Sequence, residues 1–174
     1  MRYLIFLLIL PLAGCMTADK TVKVKNDSFS DQVTIVGSQV LAKKRGLVNV
    51  EKAKYYLRSW VNKDTKAVQH QLYFTVNYNS NEWRNFYKAA VKGGDQLDFT
   101  RISSDVNVNE YGTRYYETMG ASIPHQYLIK NNEGFFVKWY AKNGTTRRTF
   151  VKKRQINKQL EAVQKQRANL TAKN

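Results

Sequence analysis

Between His70 and Tyr78 the chain alternates: Leu72, Phe74, Val76 and Tyr78 are interleaved with Gln71, Tyr73, Thr75 and Asn77. Successive side chains of an extended chain point to opposite faces, so a period of two predicts a strand with one buried face. Such a strand needs partners, and the neighbouring residues offer one. Tyr55-Tyr56-Leu57-Arg58-Ser59-Trp60-Val61 precedes it across the turn-forming Asn62-Lys63-Asp64, which predicts a hairpin. A second hairpin is expected at Asn143-Gly144, between Phe135–Ala141 and Thr146–Lys152, because both turn residues accept positive φ.

Weaker patterns fill in the rest. Val33 to Lys43 is a β-branched run with Gly37-Ser38 as a bend. Glu82 to Lys92 carries Trp83, Phe86, Tyr87, Ala90 and Val91 at spacings near three and four; it reads as a short helix, with a strand as the alternative, and Gly93-Gly94-Asp95 ends it. Gln96 to Ser103 and Thr113 to Met119 read as strands separated by an Asn-rich loop from Val106 to Gly112. Pro124 followed by Tyr127-Leu128-Ile129 suggests one or two helical turns. From about 155 to 173 helix formers place Ile156, Leu160, Val163 and Leu170 on one face, with Lys158, Lys165, Arg167 and Lys173 opposite. That apolar stripe is narrow and lacks Trp and Phe, so packing on a sheet is favoured over lying in a membrane interface. The expected class is α+β, mainly antiparallel β: a curled sheet or small sandwich of hairpins with a C-terminal amphipathic helix.

The amino terminus adds an address. Tyr3 to Leu12 is uncharged, interrupted only by Pro11, and ends in Leu12-Ala13-Gly14-Cys15. Its length suits a secretory apolar region and falls short of the roughly 20 residues of a spanning helix. The motif resembles the lipobox of bacterial lipoproteins. That resemblance implies that the Cys15 thiol carries diacylglycerol, that cleavage falls just before it with Leu12, Ala13 and Gly14 as the flank, and that the new amino terminus is acylated. Several acyl chains together give durable anchoring to the membrane. Residues 1–14 are then a signal peptide, 15–32 a lipid-anchored tether, and 33–174 a single β-rich domain. Met16, rather than Asp, follows the cysteine, which favours the outer membrane and a periplasm-facing domain if the cell is Gram-negative. In a Gram-positive cell the same motif would put the domain outside the cytoplasmic membrane.

The formal charge of +16 becomes +15 once Arg2 leaves (16 − 1), which favours an anionic partner. In the envelope that means phospholipid headgroups, peptidoglycan carboxylates or lipopolysaccharide phosphates rather than nucleic acid. Cys15 is the only cysteine, and His70 and His125 are the only histidines, without zinc-binding spacing; no metal or cofactor is expected. His125 with Ser122 or Ser103 is the one conceivable base–nucleophile pairing, yet no Gly-x-Ser-x-Gly elbow is present, and Asp98, Asp105, Glu110 and Glu117 are scattered. Gly93-Gly94 is too short to cradle a phosphate. Aromatic and basic residues interleave at Tyr56, Arg58 and Trp60 and again at Phe136, Lys138 and Tyr140, a stacking surface if the two strands lie side by side. The expected function is a non-enzymatic envelope lipoprotein that binds a protein partner or an anionic envelope polymer. The protein partner ranks first, because no cluster of converging cations is visible. A cell-wall or lipid hydrolase and a surface-exclusion or immunity lipoprotein are the alternatives.

Overall fold

The computed structural model describes residues 21–45, 50–110 and 112–172; the lipobox, Leu12 to Cys15, lies outside them. Eleven strands and two helices follow in order: β1 (Lys23–Asn26), β2 (Gln32–Val36), β3 (Val40–Arg45), β4 (Val50–Asn62), β5 (Val68–Asn79), β6 (Phe86–Val91), β7 (Gln96–Leu97), β8 (Phe99–Asn109), β9 (Gly112–Ser122), α1 (His125–Lys130), β10 (Gly134–Ala141), β11 (Thr146–Lys152) and α2 (Lys153–Thr171). A seven-stranded antiparallel sheet runs β1-β2-β4-β5-β9-β8, with β3 on β4 beyond the end of β2, and a four-stranded sheet runs β11-β10-β6-β7. The sheets stack without closing into a barrel, so the expected α+β class with a terminal helix holds.

Alternation dictates the packing. Tyr55, Leu57, Leu72, Phe74, Val76 and Met119 of the large sheet meet Phe86, Val137, Trp139 and Val151 of the small one in one core. Trp139, fully buried, stacks on Phe74 at 5.0 Å between ring centroids, and its indole N–H donates to Thr149 Oγ1 at 3.1 Å. The small sheet does not reach the β1-β2 end, where α2 takes over: Val163 packs on Ile35 and Val61, with Leu170 beside them, and Ile156 joins the main core. The amphipathic stripe thus faces the sheet, as its narrow width suggested. Gln159, fully buried on the same stripe, donates from Nε2 to the Ile35 carbonyl at 3.1 Å and to Ser59 Oγ at 2.8 Å. Gly37 makes this close approach possible, since a Cβ there would lie 2.5 Å from Gln159 Oε1.

Both predicted hairpins are present, as β4–β5 and β10–β11, and Gly37-Ser38 separates β2 from β3. Three expectations change. Part of the segment expected as a tether is strand, since Lys23–Asn26 pairs with Val33–Val36. Glu82 to Lys92 holds no helix: Asn85 takes a left-handed φ of 55°, the Phe86 N–H donates to Glu117 Oε2, and Phe86–Val91 pairs with β10. Its helix-like spacing arises because Ala89, Ala90 and Val91 are all buried, which masks a strand's alternation. The Asn-rich stretch from Val106 is mostly strand, with Asn107 opposite Arg114 and Asn109 opposite Gly112; side chains on a solvated edge strand need not be apolar.

Replacing Trp139 by Ala removes the largest fully buried side chain and should lower unfolding free energy by about 3–5 kcal/mol. Urea unfolding followed by far-ultraviolet circular dichroism reads this directly.

Candidate functional site

The outward face of the large sheet is built from the residues that alternation turns away from the core. On β4 these are Lys52, Lys54, Tyr56, Arg58 and Trp60; the register places them beside Asn77, Thr75, Tyr73, Gln71 and Gln69 of β5. Tyr56 stacks on Tyr73 at 4.8 Å, and the Arg58 guanidinium lies over both the Tyr73 ring (4.8 Å) and the Trp60 ring (4.7 Å). Arg58 is fixed by donating from Nε and Nη2 to Gln71 Oε1, at 2.9 and 2.6 Å. Gln71 in turn lies flat over Gly120, where a Cβ would fall 2.2 Å from its side chain. Burial pulls the Arg58 guanidinium below its usual pKa, offset in part by Tyr56 and Tyr73, and burial together with Tyr73 raises that of Tyr56.

Neighbouring strands add charge of one sign. Lys23 and Lys25 of β1 reach this face through Val36 and Thr34, Lys43 of β3 through Lys52, and Arg114 of β9 through Asn79, while donating to the neighbouring Asn77 at 2.8 Å. Among the described strand residues of this face the one acid is Asp105, opposite Tyr116. Cations that looked dispersed along the chain therefore converge. The pairs Lys23/Lys25 and Lys52/Lys54, each two residues apart, were the signal, since that spacing puts both on one face of a strand.

The second expected set sits elsewhere. Phe136, Lys138 and Tyr140 face outward from the small sheet, beside Phe150, Arg148 and Thr146. Phe136 packs on Phe150 at 4.7 Å, and the Lys138 ammonium lies 4.9 Å from the Tyr140 centroid. Because the inner faces of the two sheets meet, this set and the Tyr56-Arg58-Trp60 set look away from each other. They do not form one surface.

Where β9 ends at Ser122 and β5 continues to Val68, a groove of about 560 Å³ opens beside Trp60, within the range typical of ligand sites. Gln69, Gln71, Asp98, Ser122 and His125 line it with Trp60, over a floor that includes Leu97 and Ile123. Behind it runs a hydrogen-bonded chain from Gln159 through Ser59 to His70 (Ser59 Oγ to His70 Nδ1, 2.7 Å) and on to His125 (His70 Nε2 to His125 Nδ1, 2.8 Å). The Ile35 carbonyl can only accept, which fixes the Gln159 nitrogen as donor to both partners. Ser59, fully buried, accepts from Gln159 and so gives its own proton to His70 Nδ1. Burial, and after it the electrostatic influence of the neighbouring His125, push His70 down to about 4, so at neutral pH it is uncharged; with Nδ1 accepting from Ser59, its one N–H sits on Nε2 and is donated to His125. With its Nδ1 accepting, His125 carries its N–H on Nε2. This is opposite to a serine-hydrolase triad, whose histidine has its Nδ1 proton held by a carboxylate and its Nε2 open as base. His125 is arranged to donate a hydrogen bond, not to take a proton from Ser122.

The remaining candidates are dispersed. Glu117 is buried between the sheets, accepting from Tyr78 Oη at 2.5 Å and the Phe86 N–H at 3.0 Å; Asp105 is on β8 and Glu110 in the turn that follows. Glu51, unnoticed in the sequence, binds Arg84 at 2.7 Å and Arg147 at one open end of the sandwich. Burial would raise its pKa, but the two arginines outweigh that and lower it. No group of three or more His, Cys, Asp or Glu among the described residues is placed to hold a metal, and nothing in the described sites indicates catalysis.

The depressed pKa of His70 makes stability pH-dependent. Between about pH 6.5 and 4 the unfolded chain binds a proton at His70 that the folded one refuses, so the contribution of neutral His70 to stability is fully present above pH 6.5 and about 3 kcal/mol is lost as pH drops through that window. Urea midpoints measured across this range should show the fall, and His70→Asn should flatten it. Compared with known protein families, curated proteins and solved structures, the chain matches none.

Proposed function

We propose that this protein is a non-enzymatic, lipid-anchored envelope protein whose large sheet binds an anionic polymer of the cell envelope. The observation that carries this reading is the outward face of that sheet: Lys52, Lys54, Arg58 and their neighbours share it with the Tyr56-Tyr73-Trp60 ladder, with Asp105 as the opposing charge. Such a face attracts a polyanion over its whole length, while the aromatic rings offer flat apolar contact to sugar rings between charged groups. A polymer now ranks ahead of a protein partner, because the cations converge. The Gln71–Arg58 bonds also hold the guanidinium before any ligand arrives, so little side-chain entropy is lost on binding.

Anchoring through Cys15 places this face next to the polymers named above. Among the described residues no helix is long and apolar enough to cross a membrane. The hydrolase alternative loses its main support in the direction of the His70–His125 hydrogen bond.

Two experiments test the reading. The full chain should pellet with isolated peptidoglycan sacculi at low ionic strength and be released as salt approaches about 0.2 M, where exposed charges are screened beyond roughly 7 Å. Replacing Lys52 and Lys54 together by Gln should weaken retention about fivefold; retention that ignores both salt and these lysines overturns the proposal. In cells, Cys15→Ala should move the protein out of the membrane fraction, and unchanged membrane association would refute the lipid anchor.

A further inference from the structure

The groove beside Trp60 differs in chemistry from the face it adjoins. The face is cationic, whereas the groove's lining includes no Lys or Arg and one carboxylate, Asp98. Anionic groups therefore suit the face and not the groove. The groove presents a donor in the His125 Nε2–H, acceptors in the Asp98 carboxylate, and the exposed Gln69 amide, which both donates and accepts. Trp60 forms one wall, and Leu97, Ile123 and Pro124 give an apolar floor. Paired donors and acceptors around an aromatic wall match a ring that carries hydroxyl or amide groups on its rim and C–H bonds on its faces.

We infer that the groove is a subsite for one neutral pyranose unit, N-acetylated or plain, of the same polymer whose anionic groups lie along the sheet face. This deepens the reading under Proposed function and rests on it for the polymer's charge. Trp60 belongs to both surfaces, so a chain leaving the groove passes directly onto Arg58 and the tyrosine ladder. The buried chain behind the groove gives His125 its role. With Ser59 and Gln159 holding His70, the His70 N–H fixes the His125 tautomer and thus the donor that faces a sugar oxygen. His70 is a positioning residue, since it acts through His125.

Two probes separate the groove from the face: a neutral N-acetylglucosamine tetramer, which has rings and no charge, and inorganic polyphosphate, which has charge and no rings. Each is titrated against the detergent-purified full chain by calorimetry, at about 0.05 and 0.2 M salt. The tetramer should bind with little salt dependence and weaken about tenfold or more in Asp98→Asn, a variant of a groove-wall carboxylate outside the core. Polyphosphate should bind in a salt-dependent manner, unchanged by Asp98→Asn and weakened by the Lys52 and Lys54 substitutions. His70→Asn should reduce tetramer affinity while leaving polyphosphate affinity in place, which distinguishes positioning from a general loss of fold. Absence of tetramer binding, or tetramer binding indifferent to Asp98→Asn, overturns the groove proposal even if polyphosphate binds. Tetramer binding without polyphosphate binding supports the groove and overturns the cationic-face reading instead.

Discussion

The fold depends on a mismatch of length. β4 and β5 have 13 and 12 residues and run about 40 Å, whereas β6, β10 and β11, with 6 to 8 residues, cover little more than half of that. A sheet face left bare over the remainder would expose Ile35 and Val61 to water. α2 covers that remainder, and it does so with a polar contact at its centre: Gln159 reaches the Ile35 carbonyl and Ser59 inside an otherwise apolar contact. A buried amide N–H is costly unless bonded, so the two acceptors of the Gln159 nitrogen fix where the helix sits along the sheet. Gln155 reinforces the position from the first turn, donating to the Ser38 carbonyl and accepting from the Lys152 N–H.

That contact is continuous with the groove. Gln159, Ser59, His70 and His125 form one directed chain from the helix to the site, so the helix that completes the core also determines which nitrogen of His125 carries the proton. Packing and recognition are coupled through a few hydrogen bonds. On the other side of the same sheet, Gln71 plays a similar part for Arg58, and it can lie flat because Gly120 has no side chain.

Much of this architecture was legible in the chain. Alternation along Leu72-Phe74-Val76-Tyr78 marked the buried face of β5, Asn143-Gly144 marked the β10–β11 turn, and the stripe through Ile156 and Val163 marked α2. Where the pattern misled, tertiary context had changed its meaning. β6 loses its alternation because Ala89, Ala90 and Val91 are all buried, and β8 looks like a loop because its edge position tolerates Asn. β1 was hidden in a polar segment because an exposed four-residue edge strand needs no apolar side chains.

The site divides along the same line. By itself the sequence determined that Tyr56, Arg58 and Trp60 share one strand face, that Phe136, Lys138 and Tyr140 share another, and that the chain is strongly basic, because strand periodicity and charge are local properties. Only the tertiary structure decided that these two sets face apart, that cations from four strands converge on one of them, and that His70 meets His125 across 55 positions of chain. Register and sheet order set those relations. They depend on which strands pair and how the bare end of the sheet is covered, which no short stretch of residues encodes.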